Sequence, residues 1–397
     1  VFQTGSRIGS RAWKASVSNP AYQVGKREKK TMYQIQHLLE SMVKCGASDM
    51  FLKANVPPAL RVDGRIQPMD QPPYSPERVM LIANEMMSEE QQAEFEESND
   101  MDLAIAVAEL GRFRVNVYRQ RDTVAIVLRH IPAPEFNFDQ LNLPPAVKML
   151  SEKRRGLVLV TGITGSGKST TLATMIHRIN EMRRCHIVTI EDPIEFIHSD
   201  LNSIVSQREV GIDTESFASG LRHVLRQSPD VILIGEMRDL ETIQTSIASA
   251  ETGHLVFSTL HTTDVVQTVE RIINYFPGYL QHQIRMELAL TLQGVICQRL
   301  LPLAHRKGRI PATEIMVVTA IIRKLIHEGK SLELRDYVAD GGHVGMMTFD
   351  QSLLSLYREN LITFEEALAN ASSPDEFRQA ADGITSGVKA REFNQDF

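Results

Sequence analysis

The sequence has little of what marks several protein classes. Its three cysteines, Cys45, Cys185 and Cys297, lie far apart and form no C-x-x-C pair. That argues against a zinc site or a disulfide framework, and for core thiols of a reducing compartment. No apolar run approaches the ~20 residues a membrane helix needs, so any link to a membrane is expected to go through a partner. Net charge is −6, and no basic stripe is interleaved with aromatics. Nucleic acid is therefore not an expected partner, which counts against a helicase-like translocase. Internal repeats and low-complexity segments are absent.

What remains is ordinary for a soluble globular chain: 43% hydrophobic and 23% charged over 397 residues, a length that predicts two to three domains. Residues 1–30 are basic and lack an apolar h-region, so they read as a disordered tail and not a secretory signal. Residues 31–131 read as a small α+β domain. One helical face carries Ile35, Leu38, Leu39, Met42 and Val43. Short strands follow, with Asp63-Gly64 as a hairpin turn. A helical pair spans 75–95, and three alternating strands cover 101–130. Ile131-Pro-Ala-Pro134 opens a linker over 132–137. From Phe138 strands and helices alternate, which predicts a parallel sheet with crossover helices over 138–280. From Gln281 to 383 the chain is expected to be mostly helical. Phe349, Leu353, Leu356 and Tyr357 form a stripe there, and Ser373-Pro374-Asp375-Glu376 forms a capping box. A loose tail covers 384–397.

The strongest signal is Gly156 to Leu172, GLVLVTGITGSGKSTTL. A β-branched apolar run leads into Gly162-Ile-Thr-Gly-Ser-Gly167-Lys168-Ser169, a full G-x-x-x-x-G-K-[ST] match, and a helix-compatible stretch follows. Glycines let the backbone turn its N–H groups inward onto phosphate oxygens, and the helix start adds dipole and free donors. Gly162, Thr164, Gly165, Ser166, Gly167, Lys168, Ser169 and Thr170 are thus candidate nucleotide-binding residues. Lys168 is placed for the β/γ-phosphates of ATP and Ser169 for Mg²⁺.

Three further stretches carry candidate chemistry. CHIVTIEDPIE ends an apolar strand on Glu191-Asp192, with Glu195 beyond, where a carboxylate can orient water or take its proton. DVILIGEMRD puts Glu236 behind Gly235, to hold Mg²⁺ through water or to act as the base itself. Arg238 and Asp239 read equally as an ordinary surface pair or as participants. GHLVFSTLHT brackets a buried strand with His254 and His261; a histidine at a strand end can contact the γ-phosphate, though a lone histidine is more often a satisfied polar residue. In the first domain, Arg112, Arg114, Arg119, Arg121 and Arg129 are dense, either as solvated strand positions or as arginines completing a phosphate site.

Taken together, GITGSGKSTTL, VTIEDPIEF, VSQREVG, VILIGEMRDLETI and AETGHLVFSTLHTT resemble the secretion ATPases of type IV pili and type II/IV secretion. Within that family the chain resembles the retraction, PilT-like branch over about residues 31–380, and GASDMFLKANVPPALRVDGRI resembles that branch's N-terminal domain. The resemblance implies a PAS-like N-terminal domain joined to a RecA-like P-loop ATPase domain with a helical C-terminal part. It implies a homo-hexameric, cytoplasmic, Mg²⁺-dependent ATPase that lies peripherally at the inner membrane through a pilus platform protein, alone or with a paralogous retraction ATPase. It carries catalytic roles to Glu191, Glu236 and His261, nucleotide contact to His254, and phosphate contact to Arg114 and Arg129. The four-cysteine insertion of the assembly ATPases is missing. Ile163 stands where the retraction branch commonly has proline, AIIRKLIHEG only approximates that branch's motif, and GMMTFDQSL is shared with accessory PilU-like ATPases. An accessory or ATP-binding adaptor paralogue therefore stays open.

Overall fold

The computed structural model describes residues 33–62, 64–107, 110–131 and 137–383. The expected tails, the linker 132–136 and Asp63 of the hairpin turn lie outside them. The chain divides into two compact units, Val1–Pro132 and Ala133–Phe397.

In the first unit α1 (Tyr33–Lys44) precedes β1 (Asp49–Lys53), β2 (Ala59–Val62) and β3 (Arg65–Pro68). Then come α2 (Pro76–Met86), α3 (Glu89–Ser98), β4 (Asp100–Val107), β5 (Gly111–Gln120) and β6 (Thr123–Ile131). The strands form one antiparallel sheet in the order β3-β2-β1-β6-β5-β4. Alternation decides what each face carries: Phe113, Val115 and Val117 of β5 are buried against α1 and α2 core residues such as Ile35, Leu39 and Ile82, while Arg114 between them is exposed. The helix pair starts where its caps dictate. The Ser75 hydroxyl accepts from Arg78 N, and Ser88 and Gln91 form a reciprocal capping box.

The second unit begins with α4 (Pro145–Ser151), β7 (Gly156–Thr161), α5 (Lys168–Met182), β8 (His186–Glu191) and β9 (Ile204–Glu209). It continues through α6 (Phe217–Val224), β10 (Val231–Ile234), α7 (Leu240–Glu251), β11 (Leu255–Leu260), α8 (Val265–Asn274) and α9 (Gly278–Thr291). Two long strands, β12 (Leu292–Pro302) and β13 (Arg309–Val317), precede α10 (Ala320–Glu328), α11 (Leu334–Asp340), α12 (Phe349–Arg358), α13 (Phe364–Asn370) and α14 (Pro374–Ala381). The seven-stranded sheet runs β13-β12-β7-β11-β10-β8-β9, parallel except for the antiparallel edge strand β13. Every residue of β7, β10 and β11 is buried, as expected where helices cover both faces.

Two local expectations are corrected. Residues 292–302 and 309–317, expected within a mostly helical stretch, form β12 and β13 and extend the sheet, β12 parallel to β7 and β13 antiparallel to β12. Their buried positions, eight of the nine residues in β13, fit a strand or a buried helix equally by periodicity, and the pairing of β12 with β7 and of β13 with β12 decides for strand. The helix expected at Ser373-Pro374 is present, but Ser373 makes no side-chain cap bond. Its ψ of 89° departs from the extended backbone that aims a capping hydroxyl at the first turn. The Asp350 carboxylate instead accepts from Ser372 N and Ser373 N.

Candidate functional site

The parallel sheet gathers the motifs at one end. Strands β7, β11, β10 and β8 are neighbours in that order. Their carboxyl ends lead into the glycine loop, His261, Glu236 and Glu191 respectively. Ligands of open α/β sheets bind outside these ends. A cavity of about 410 Å³ lies there, within the usual range for small-molecule sites. Among its lining residues are Thr164, Gly165, Gly167, Lys168, Ser169 and Thr170 from the loop, and Glu191, Glu195, Glu236 and His261 opposite.

The loop turns through left-handed backbone at Gly165 (φ 80°) and Gly167 (φ 89°), conformations that tax any residue with a Cβ. Helix α5 starts at Lys168, so its free N–H groups face the cavity's loop side. The Lys168 ammonium donates to the carbonyls of Gly162 at 2.8 Å and Ile163 at 3.1 Å. Burial lowers its pKa, against the opposing pull of the Glu236 and Glu195 carboxylates. Gly162 and Ser166 do not line the cavity; they form the loop's underside, where Ser166 is 2% exposed.

Glu191 is the most perturbed acid in this end of the sheet. Burial raises its pKa to about 7, and the Glu195 charge adds to the rise. The Thr189 hydroxyl at 2.6 Å and the Gln207 amide at 3.2 Å donate to Oε1 and pull the other way. Gln207 also donates to the Phe196 carbonyl and accepts from His198 N, so it ties the acid to the loop beyond it. Glu209 fixes the near side of that loop by accepting from Ile194 N. Burial likewise lowers the His198 pKa to about 4, helped by His177. Glu236 is paired with Arg238 through one oxygen and with His261 Nε2 at 3.2 Å through the other.

Several placements differ from the sequence reading. Arg238 and Asp239 are not a surface pair with each other: Arg238 holds Glu236, while Asp239 caps α7 by accepting from Thr242 N and the Thr242 hydroxyl. His254 is not brought to the cavity. It precedes β11, whose six residues separate it from the carboxyl end by roughly 20 Å at strand rise. Its Nδ1 donates to the Ser249 carbonyl at 2.9 Å, which is the work of a satisfied polar residue at a helix–strand junction.

In the first unit, cross-strand register puts Arg114, Arg129, Asp49 and Arg61 in one row on adjacent strands. Asp49 is 5% exposed and pairs with both Arg129 (2.9 Å) and Arg61 (3.2 Å). Burial alone would raise its pKa, but the Ser48 hydroxyl and the two guanidiniums hold it below the usual value.

Gln207, Thr189, Glu209 and Gln298 were missed as contributors. Gln207 and Glu209 sit inside the VSQREVG stretch, and their strand-interior polarity was a usable signal. Gln298 was hidden because its stretch was read as helical.

Fold and site define the class: an ATPase with a RecA-like parallel sheet, a G-x-x-x-x-G-K-[ST] glycine loop at its carboxyl edge and a separate antiparallel α+β unit. A family model described as "Type II/IV secretion system protein" matches residues 26–307. The chain belongs to that family. It is 43% identical to the type IV pilus ATPase PilU of Pseudomonas aeruginosa, over 87% of this chain and 90% of the relative. It is also 43% identical to the type IV pilus retraction ATPase PilT of the same organism, over 86% of this chain and 99% of the relative. A crystal structure of the pilus retraction motor PilT with bound ADP superposes with a TM-score of 0.81 at 45% identity, covering 86% of this chain and 98% of that one. Among the described residues no helix is long and apolar enough to cross a membrane.

Proposed function

We propose that this protein is a Mg²⁺-dependent, ATP-hydrolysing motor that powers retraction of a type IV pilus and thereby twitching motility. The observation that carries the reading is the convergence of the glycine loop, Lys168, Glu191, Glu236 and His261 on one cavity, in a chain similar over 86% of its length to pilus retraction ATPases. The loop N–H groups and Lys168 bind the phosphates of ATP. Glu191 positions the attacking water and takes its proton; a carboxyl with a pKa of about 7 is well matched to general-base work near neutrality. His261 holds Glu236 in place and stands ready to contact the γ-phosphate.

The donors fit Mg²⁺, a hard ion that prefers oxygen. The Ser169 hydroxyl and, through water, the Glu236 carboxylate would hold it beside the phosphates. It would supply neutralisation of phosphate charge. No group of three His, Cys, Asp or Glu side chains suited to a metal occurs among the described residues, a pattern compatible with an ion that takes much of its shell from nucleotide and water. Arg114 and Arg129 of the first unit are proposed to add positive charge to the phosphates. ATP-driven closure between the N-terminal and RecA-like domains is the proposed stroke. A homo-hexamer acting in the cytoplasm on an inner-membrane platform protein is the proposed working form.

Phosphate release from purified protein tests the chemistry: wild type turns over ATP with Mg²⁺ and Lys168→Ala does not. Deletion in the cell tests the biology: excess, immobile pili support retraction, and bald cells overturn it in favour of assembly. A second reading, an accessory PilU-like ATPase or ATP-binding adaptor, is favoured by the equal 43% identity to PilU. Saturable ATP binding without turnover, or normal pili in a deletion strain that still carries a paralogue, would select it.

A further inference from the structure

We propose that Gln298 is a positioning residue for the phosphate-binding loop: from the neighbouring strand it aims the Gly167 N–H into the cavity. The proposal rests on the reading of that cavity as a nucleotide site.

The register of the sheet brings Gln298 there. Cys297 of β12 pairs with Thr161, the last residue of β7, so Gln298 abuts the loop where it leaves the sheet. Its side chain is 3% exposed, and both ends of the amide are used. Nε2 donates to the Ser166 carbonyl at 2.8 Å, and Oε1 accepts from the Thr171 hydroxyl on the first turn of α5 at 2.8 Å. The Ser166 carbonyl can only accept, so this contact sets which way the amide faces. One side chain thus ties the middle of the loop to the helix that follows it.

The consequence comes from peptide geometry. In a planar trans peptide the C=O and the following N–H point in opposite directions. Holding the Ser166 carbonyl down toward Gln298 turns the Gly167 N–H away from it, toward the cavity that Gly167 lines. The two outer glycines of the motif also pack on the same residue. A Cβ at Gly162 would lie 2.3 Å from the Gln298 carbonyl oxygen, and one at Gly167 would lie 2.7 Å from Nε2. Gln298 therefore occupies the space that makes both positions glycine, and it directs the N–H that the turn presents. Without it, the Ser166 carbonyl is free to rotate outward and put a partial negative charge where phosphate should sit.

The test uses the full chain and compares binding of ADP with binding of adenosine, which has no phosphate. Gln298→Leu should weaken ADP roughly tenfold or more, the scale of one lost buried hydrogen bond, while adenosine binding stays within about twofold. Gln298→Glu keeps an acceptor for Thr171 but sets a carboxylate against the Ser166 carbonyl, and should lose ADP at least as strongly. Thr171→Val removes one arm only and should cost less, roughly threefold. KM for ATP should rise by more than kcat falls. Gln298→Leu binding ADP like wild type, or losing ADP and adenosine equally, overturns the proposal. Should Gln298→Leu fail to fold, Gln298→Asn and Thr171→Val decide on the same two ligands. Lys168→Ala run alongside separates the failures: if it too binds ADP normally, the nucleotide-site reading is at fault and not the role of Gln298.

Discussion

The two sheets of this molecule use their strands differently. The antiparallel sheet of the first unit presents charge on a face: Arg114, Arg129, Asp49 and Arg61 lie across neighbouring strands in one row. The parallel sheet of the second unit is buried on both sides, with every residue of β7, β10 and β11 covered. Apart from Gln207 of β9 and Gln298 of β12, it presents chemistry where strands end. A one-faced sheet tolerates polar side chains along its length, so its charges are spread out and must be managed pairwise. A two-faced sheet excludes them, so its polar groups crowd the carboxyl edge, where burial and proximity shift their pKa values.

That comparison can be broken experimentally. The largest effect is expected at the edge: Lys168→Ala should cut ATP turnover on the order of 10²–10³-fold or more, the scale of losing one preorganised cationic donor. A phosphate-release assay reads it, and near-normal turnover would remove the edge from consideration as the site.

Glu191→Gln comes next, with a loss on the order of 10²-fold, the lower end of a general acid–base contribution, if the group is the base. In wild type the rate should rise with pH through about 7 as the buried carboxyl ionises. Stability should move the opposite way. The folded state holds this proton up to about pH 7 while the unfolded chain releases it near the ordinary carboxyl value of 4.5. Stability contributed by the neutral form is therefore lost as pH rises between those values. Thermal melts of Glu191→Gln across that window should be flatter than wild type, and parallel melts would deny the raised pKa.

On the face of the other sheet the expected effect is smaller and is read as stability. Asp49→Asn should cost about 1.5–3 kcal/mol in a urea titration at neutral pH, since it weakens hydrogen bonds to two guanidiniums. Because the Asp49 pKa is depressed, its contribution is complete above its ordinary value of 3.8 and is lost as pH falls below it. The gap between wild type and variant should close in acid. A gap that stays constant down to low pH would mean the arginine row does not depend on that charge.

The smallest effect tests the edge from its far side. His254→Ala, at the amino end of β11, should leave ADP affinity within about twofold of wild type, as expected for a site well separated from the ligand. A larger loss would show that both ends of the sheet serve the nucleotide.

Much of this was legible in the residues. The glycine loop announces itself because its chemistry demands particular types at fixed spacing, and the buried strands around it announce themselves by unbroken apolar runs. Other parts were not. Periodicity cannot separate a buried strand from a buried helix, so only the pairing of β12 with β7 and of β13 with β12 identifies both as strands. His254 and His261 look alike in GHLVFSTLHT, and only the direction of β11 puts one at the cavity and the other at the opposite end of the strand. Asp239 reads equally as a surface partner for Arg238 or as a participant in the site, yet a helix start takes it as a cap.

The sequence by itself determined the ATPase family and its motifs, a G-x-x-x-x-G-K-[ST] loop and a strand-end acid, because these depend on short segments whose residues act on their own neighbours. Only the tertiary structure decided which acid is buried, which histidine reaches the cavity and which glutamine braces the loop. Those properties belong to strand order and register, which join residues as distant in the chain as Ser166 and Gln298, and no local pattern encodes them.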